Sequence, residues 1–143
     1  MPKKVYFEDI NVGDAMPELK KGPVQKLQHV MYAGASGDFN PLHTDDDFAK
    51  AVGMDGVIAH GMLIMGSVGQ AITSWIPKKH IKKFGVRFSG MTKPGSTIII
   101  TGTVTNKRIE AGKNIITCEV TAKDEQGDVK VTGSFEAALP SKG

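Results

Sequence analysis

One cysteine, Cys118, is all the chain has among 143 residues. That excludes an intrachain disulfide framework and any cysteine-based metal cluster. No apolar run reaches the roughly 18 residues needed to span a bilayer. The opening Met1-Pro2-Lys3-Lys4-Val5-Tyr6-Phe7-Glu8-Asp9 lacks the apolar core of a secretory signal. The expectation is a cytoplasmic protein with no membrane attachment. Aromatics are scarce at 6%, few sit among the basic residues, and no recognised binding motif is present, which disfavours nucleic acid. Gly61, Gly66 and Gly69 do not form GxGxxG and no GxxxxGK[ST] occurs, so nucleotide-cradling loops are missing. His29, His43, His60 and His80 show no HExxH spacing, and Pro41 and His43 spoil any reading of the run from Asp38 as a calcium loop. Neither a metal nor a redox cofactor is expected.

Acid is missing over one long stretch as well. Between Gly56 and Ile109 there is no Asp or Glu, while Lys78, Lys79, Lys82, Lys83, Arg87, Lys93, Lys107 and Arg108 all lie there. The net charge is only +3, so its placement matters more than its sum. The asymmetry reads either as a solvated basic face or as the seat of an anionic ligand or partner.

With 40% hydrophobic and 23% charged residues the composition is that of an ordinary globule. At this length about two-thirds of the unfolded surface is buried, enough for one core, so residues 1–143 are read as a single domain. Leu27, Val30, Met31 and Gly34 recur at helical spacing from about Val24 to Ala35, and Gly37 is placed to end that helix in a left-handed conformation. A second, shorter helix is expected after Thr44 as N-cap, with Asp45, Asp46 and Asp47 in its first turn, where the macrodipole favours negative charge. From Gly61 to Trp75 a third helix is uncharged and apolar nearly all round, the signature of burial on most sides, with Ser67, Gln70 and Ser74 as a narrow polar stripe.

Beyond Pro77 the period becomes two. Phe84, Val86 and Phe88 alternate with Gly85, Arg87 and Ser89; runs over Thr97–Thr105, Ile115–Ala122 and Val129–Ala137 follow, separated by Pro94-Gly95, Ala111-Gly112 and Gln126-Gly127. Four strands with short turns predict an antiparallel meander, with a fifth strand from the N-terminal segment and one face covered by the long helix: an α+β domain. Cys118 shares its strand face with Ile116 and Val120, which marks a buried inert thiol.

The chemistry concentrates in Ser36-Gly37-Asp38-Phe39-Asn40-Pro41-Leu42-His43. Asp38 and His43 are five residues apart, a spacing that sends side chains to different faces of a helix or a strand. They converge only across irregular backbone. Pro41 secures this by fixing its own φ and pushing Asn40 out of the α region. A carboxylate and an imidazole so placed can hold and polarise a water. Equally, Asp38 could cap backbone N–H groups and His43 the helix after Thr44. Asn40 has an amide to hold the loop. A second feature is Ala59-His60-Gly61-Met62 at the head of the long helix. There, unpartnered N–H groups point outward and a glycine lets a carbonyl oxygen approach. Glycine at a helix start also simply relieves packing, and a histidine there also serves as a hydrogen-bonded structural residue.

Tyr32-Ala33-x-x-Ser36-Gly37-Asp38-Phe39-Asn40-Pro41-Leu42-His43, then Phe48-Ala49, then Ala59-His60-Gly61-Met62, resembles the MaoC-like, (R)-specific enoyl-thioester hydratases and (3R)-hydroxyacyl-thioester dehydratases of the hot-dog fold. Ile10-Asn11-Val12-Gly13-Asp14 and Val86-Arg87-Phe88 extend the likeness to nearly the whole chain. The resemblance implies an antiparallel sheet of about five strands wrapped around a buried central helix. It implies Asp38 and His43 as the catalytic pair, with the Gly61 N–H as carbonyl donor. Asn40, Pro41, His60, Met62 and Arg87 are then expected to line the substrate site. It further implies an acyl-CoA or acyl-carrier-protein thioester as substrate, and a homodimer, higher homo-oligomer or heterodimer as the assembly. Hot-dog thioesterases and type II dehydratases with a carboxylate on the central helix are disfavoured, because that helix has no acid. A non-catalytic acyl-thioester-binding subunit or sensor is the alternative.

Overall fold

The computed structural model describes residues 3–143. Its elements run β1 (Leu19–Lys21), α1 (Lys26–Ser36), a 3-10 turn (Pro41–His43), α2 (Asp46–Ala51), α3 (Gly61–Trp75), β2 (Ile81–Phe88), β3 (Ile98–Glu110), β4 (Lys113–Lys123) and β5 (Val129–Ala138). The strands form one antiparallel sheet in the order β1-β3-β4-β5-β2.

The register builds one inward row after another. Val104, Cys118, Phe135 and Phe84 are successive partners across β3, β4, β5 and β2, and Ile100, Ala122, Val131 and Phe88 form a parallel row. These side chains meet Ile64, Val68, Ala71 and Ile72 of α3, all buried. Each such Ile, Val or Phe contributes roughly 1.5–3 kcal/mol by leaving water. Trp75 closes the far end of α3 edge-on to Phe135, ring centres 6.4 Å apart. Cys118 is buried in this layer as expected, and burial pushes its thiol up to about 12. A sheet curled around one long helix is the hot-dog α+β architecture.

Several expectations need correction. The four later strands are not one meander: only β3, β4 and β5 follow as neighbours, whereas β2 pairs with β5 at the opposite edge from β1. The chain from Ser89 to Thr97 therefore crosses over between non-adjacent strands, and Pro94-Gly95 turns within that crossing. The second helix is capped by Asp45, whose Oδ1 accepts from the Asp47 and Phe48 N–H groups at 3.0 and 3.2 Å. Thr44 instead closes the Pro41–His43 turn, donating its N–H to the Pro41 carbonyl. Helix α3 is buried on one side only, since Met62 and Gly66 are exposed. Ser67 and Ser74 of its polar stripe donate to the carbonyls of Leu63 and Gln70 one turn back.

Helix α1 starts two residues later than expected, because Gln25 is extended and exchanges hydrogen bonds with Gln28 in a reciprocal cap. Gly37 ends it as expected, at φ 78° with its N–H on the Ala33 carbonyl. Its buried side, however, is His29 and Ala33, while Leu27, Val30 and Met31 are 63%, 54% and 66% exposed. The apolar stripe that announced the helix has no partner within the described residues.

Close backbone approach explains one glycine. A Cβ on Gly133, in β5, would lie 2.2 Å from the Gly85 carbonyl oxygen and 2.9 Å from Val86 Cγ1. Gly133→Ala is expected to destabilise the fold by about 2–3 kcal/mol, because strand backbone must move. Gly34→Ala, with nothing within 4 Å of the new carbon, is expected to stabilise α1 by about 0.5–1 kcal/mol. Thermal melts of both variants check the pair, and equal melting temperatures would contradict it.

Candidate active site

The loop between α1 and α2 is a chain of short local bonds. Ser36 Oγ accepts from the Asp38 N–H at 3.1 Å, Asp38 Oδ1 from the Asn40 N–H at 3.3 Å, and Asn40 Oδ1 from the Leu42 N–H at 3.0 Å. Pro41 opens the 3-10 turn that carries His43. Asp38 Oδ2 is left free of these bonds and lies 3.7 Å from His43 Nε2. Asp38 is 51% exposed and His43 only 12%, so solvent reaches the pair from the carboxylate side.

Three imidazoles pin this loop, and each does so through a main-chain carbonyl. His29 Nδ1 meets the His43 carbonyl at 2.9 Å, His43 Nδ1 the Ile58 carbonyl at 2.8 Å, and His60 Nε2 the Asp38 carbonyl at 3.1 Å. A carbonyl only accepts, so the nitrogen facing it carries the proton. His43 is thereby held as the Nδ1–H tautomer, its bare Nε2 lone pair turned to Asp38. The His43 and His60 rings stack with centres 3.9 Å apart, and Tyr32 packs edge-on to His60 at 4.8 Å.

Two acceptors 3.7 Å apart do not bond each other directly. A water about 2.8 Å from each can donate one hydrogen to Asp38 Oδ2 and the other to His43 Nε2, leaving its oxygen lone pairs outward. The arrangement can therefore orient and deprotonate a water. One side-chain oxygen or nitrogen from each of Asp38, His43 and His60 falls within 4.8 Å of the other two. They suit a metal poorly: His60 Nε2 is already bound to a carbonyl, and stacked rings aim their nitrogens side by side rather than at one point.

Gly61 begins α3 directly after His60, whose carbonyl receives the Leu63 N–H at 3.1 Å. The Gly61 N–H lies in the first turn, where no intrahelical acceptor exists. The Phe88 ring approaches so closely that a Cβ at Gly61 would sit 3.2 Å from it; packing and carbonyl access both call for glycine here. Beside the cluster, Gln28, Met31, Tyr32, Ala35 and Leu63 line an apolar groove of about 310 Å³. Two hollows of about 630 Å³ lie elsewhere, one past the far end of α3 around Ser74 and Trp75, one on the outer sheet face.

The residues expected at the substrate site divide accordingly. Asp38 and His43 come together, with Pro41 and Asn40 shaping the loop between them; the Asn40 carbonyl oxygen is engaged by the turn. Met62 is 55% exposed beside Gly61. His60 is 1% exposed and lies stacked on the His43 ring rather than on the open side of the pair. Arg87 is also misplaced by that expectation. Phe88 faces Gly61, and strand alternation sends Arg87 to the outer face of β2, where it borders the hollow with Thr121 and Thr132. Tyr32 and His29 are part of the site although the sequence did not mark them out: Tyr32 appeared only within the family motif, and His29 lies one turn from it on the same face of α1.

Burial holds the His29 pKa below its ordinary value, outweighing the His43 carbonyl that favours the charged form. A histidine kept neutral in the fold but titrating near 6.5 when unfolded stabilises the fold fully above that pH. The contribution declines as pH falls below it, by at most about 1.4 kcal/mol per pH unit. The melting temperature is therefore expected to drop between pH 7 and 5, and His29→Asn, which keeps a donor but does not titrate, to flatten that drop. Parallel slopes for the two proteins would contradict this.

Comparison with known proteins agrees with the geometry. Residues 11–127 match the family model described as MaoC like domain. The chain is 28% identical over 141 residues to an (R)-specific enoyl-CoA hydratase of Rhodospirillum rubrum, covering 96% of this chain and 94% of that protein. It is 42% identical over 64 residues to the peroxisomal hydratase-dehydrogenase-epimerase of Neurospora crassa, spanning 45% of this chain and only 7% of that far longer protein. Among solved structures, the (R)-hydratase of A. caviae involved in PHA biosynthesis superposes with a TM-score of 0.80 at 26% identity, covering 93% of this chain and 99% of that one. With most of its length matched, its fold shared and its Asp38–His43 loop built as described, the chain belongs to the MaoC-like domain family.

Proposed function

We propose that the protein, as one domain per chain, is an (R)-specific hydratase or dehydratase that interconverts trans-2-enoyl and (R)-3-hydroxyacyl thioesters. The observation that carries this reading is the 3.7 Å gap between Asp38 Oδ2 and the bare Nε2 of His43, close enough for one water to touch both acceptors. Similarity to the hydratases named above supports the same reading. The thioester carbonyl accepts from the Gly61 N–H, which stabilises the negative charge that develops on its oxygen; one such donor is worth about 3 kcal/mol in a transition state. The water held by Asp38 and His43 adds its oxygen to C3. The proton it loses passes to the pair, and one member delivers that proton to C2, so that water is added across the double bond with no other reactant. The thioester supplies the activation itself.

An acyl tail fits along the groove of Met31, Tyr32, Ala35 and Leu63. Coenzyme A or an acyl carrier protein is the carrier, its phosphate met by bases of the acid-free stretch such as Lys78, Lys79, Lys82 and Lys83. The chain works as an oligomer, formed with itself or with a related subunit. Its surface of 8178 Å² exceeds the roughly 7,100 Å² expected for a self-contained monomer of this mass. The excess goes with the exposed apolar side chains Leu27, Val30, Met31, Phe39 and Met62.

Mixing the protein with crotonyl-CoA is expected to bleach the enoyl absorbance and yield the (R)-3-hydroxy product. Asp38→Asn should lower kcat by about 10³-fold, within the range for removing a general acid–base group. Binding without turnover would make the protein an acyl-thioester-binding subunit, and release of free thiol a thioesterase. Light scattering is expected to give a mass at least twice 15.3 kDa; a monodisperse monomer would contradict the assembly.

A further inference from the structure

His60 is nearly sealed from solvent, at 1% exposure, yet it touches every part of the proposed machinery. Its Nε2–H donates to the Asp38 carbonyl at 3.1 Å. One face of its ring lies on His43, centres 3.9 Å apart and planes 24° from parallel. Its own peptide carbonyl receives the Leu63 N–H and begins α3. Its peptide plane also contains the Gly61 N–H. We propose that His60 is a positioning residue, which sets the distance between Asp38 and His43 and aims the Gly61 N–H without itself meeting substrate.

Chemistry explains why the position holds an imidazole. A flat apolar ring such as phenylalanine would stack on His43 and carry no buried nitrogen, whereas His60 Nδ1 is buried with no partner; but it would take away the donor to the Asp38 carbonyl. An amide side chain would supply the donor to Asp38 but no face for His43. Imidazole provides a stacking face and, on its edge, a single N–H. The unpartnered Nδ1 follows from that compromise, because an imidazole with one nitrogen bound to Asp38 keeps a second nitrogen that must be buried with it. His29 acts on the cluster from α1, where it bonds the His43 carbonyl and stands edge-on to the His60 ring, centres 6.2 Å apart.

This role rests on the hydratase reading, and two arms of one experiment separate them. In the first, kcat and KM for crotonyl-CoA are compared for wild type, His60→Phe, which keeps the stack, and His60→Gln, which keeps the donor. Each variant is expected to lose about 10- to 100-fold in kcat with KM within threefold, since misplaced catalytic groups slow the step without weakening binding. Unchanged kcat in both, or a raised KM with kcat intact, would overturn the proposal. In the second, histidine-selective ¹H–¹⁵N spectra of the unliganded protein read the tautomers directly. Wild-type His60 is expected as Nε2–H and His43 as Nδ1–H, with the His43 signals moved and broadened in both variants. An Nδ1–H tautomer at His60 would overturn the proposal whether or not any variant folds, as would unmoved His43 signals. Absence of turnover by wild type would instead count against the hydratase reading and leave the spectra to decide the role of His60.

Discussion

A carboxylate and an imidazole separated by four residues must be brought to within one water of each other, and main-chain carbonyls hold them there. Three histidines from three stretches of chain each donate to a carbonyl belonging to another stretch: α1 to the loop, the loop to the segment before α3, and the head of α3 back to the loop. Such bonds are individually worth only about 1 kcal/mol net, but together they fix which nitrogen of His43 is bare. Nothing about the pair works if that tautomer is reversed, because an N–H turned to Asp38 would bond the carboxylate in place of water. The fold beneath serves this arrangement by burying one side of α3 in the sheet, which steadies the helix head where His60 and Gly61 sit.

Much of this was legible in the residues. Pro41 and Gly37 mark the loop as irregular, and their behaviour follows from φ alone: Gly37 turns left-handed and Pro41 opens a tight turn. The uncharged run from Gly61 to Trp75 is one helix with the expected bounds, because no proline or charge interrupts it. The strand runs from Phe84 onward keep their alternation, although β2 starts earlier, at Ile81, and β3 continues past the expected Thr105 to Glu110 through a bulge. These features are local, and local chemistry decides them.

What was not legible is decided by tertiary packing. Periodicity shows that α1 has an apolar stripe but not which side meets the protein, and the chain buries His29 and Ala33 instead, since His29 has a carbonyl to reach. Nor does alternation specify a strand's neighbour: β2 joins β5, and the crossing to β3 is invisible in a Pro-Gly turn signal. The same limit applies to Arg87. Its neighbour Phe88 packs on Gly61, and this single contact sends Arg87 to the other face. A lone buried histidine such as His60 carries no periodic mark at all.

Strand β2 has a further consequence for how the molecule behaves in solution. It borders the sheet, and among the described residues no strand pairs with its outer row of amides and carbonyls, the kind of border another strand can extend. Lys82, Lys83 and Arg87 lie along it, and no acid occurs from Gly56 to Ile109. Indiscriminate stacking of copies into fibres is thus opposed by repulsion between like charges, while a symmetric pair must overcome that same repulsion. Ions that screen this repulsion over about 10 Å at 0.1 M weaken the guard, so the border is better protected against chance strand addition at low ionic strength than at high.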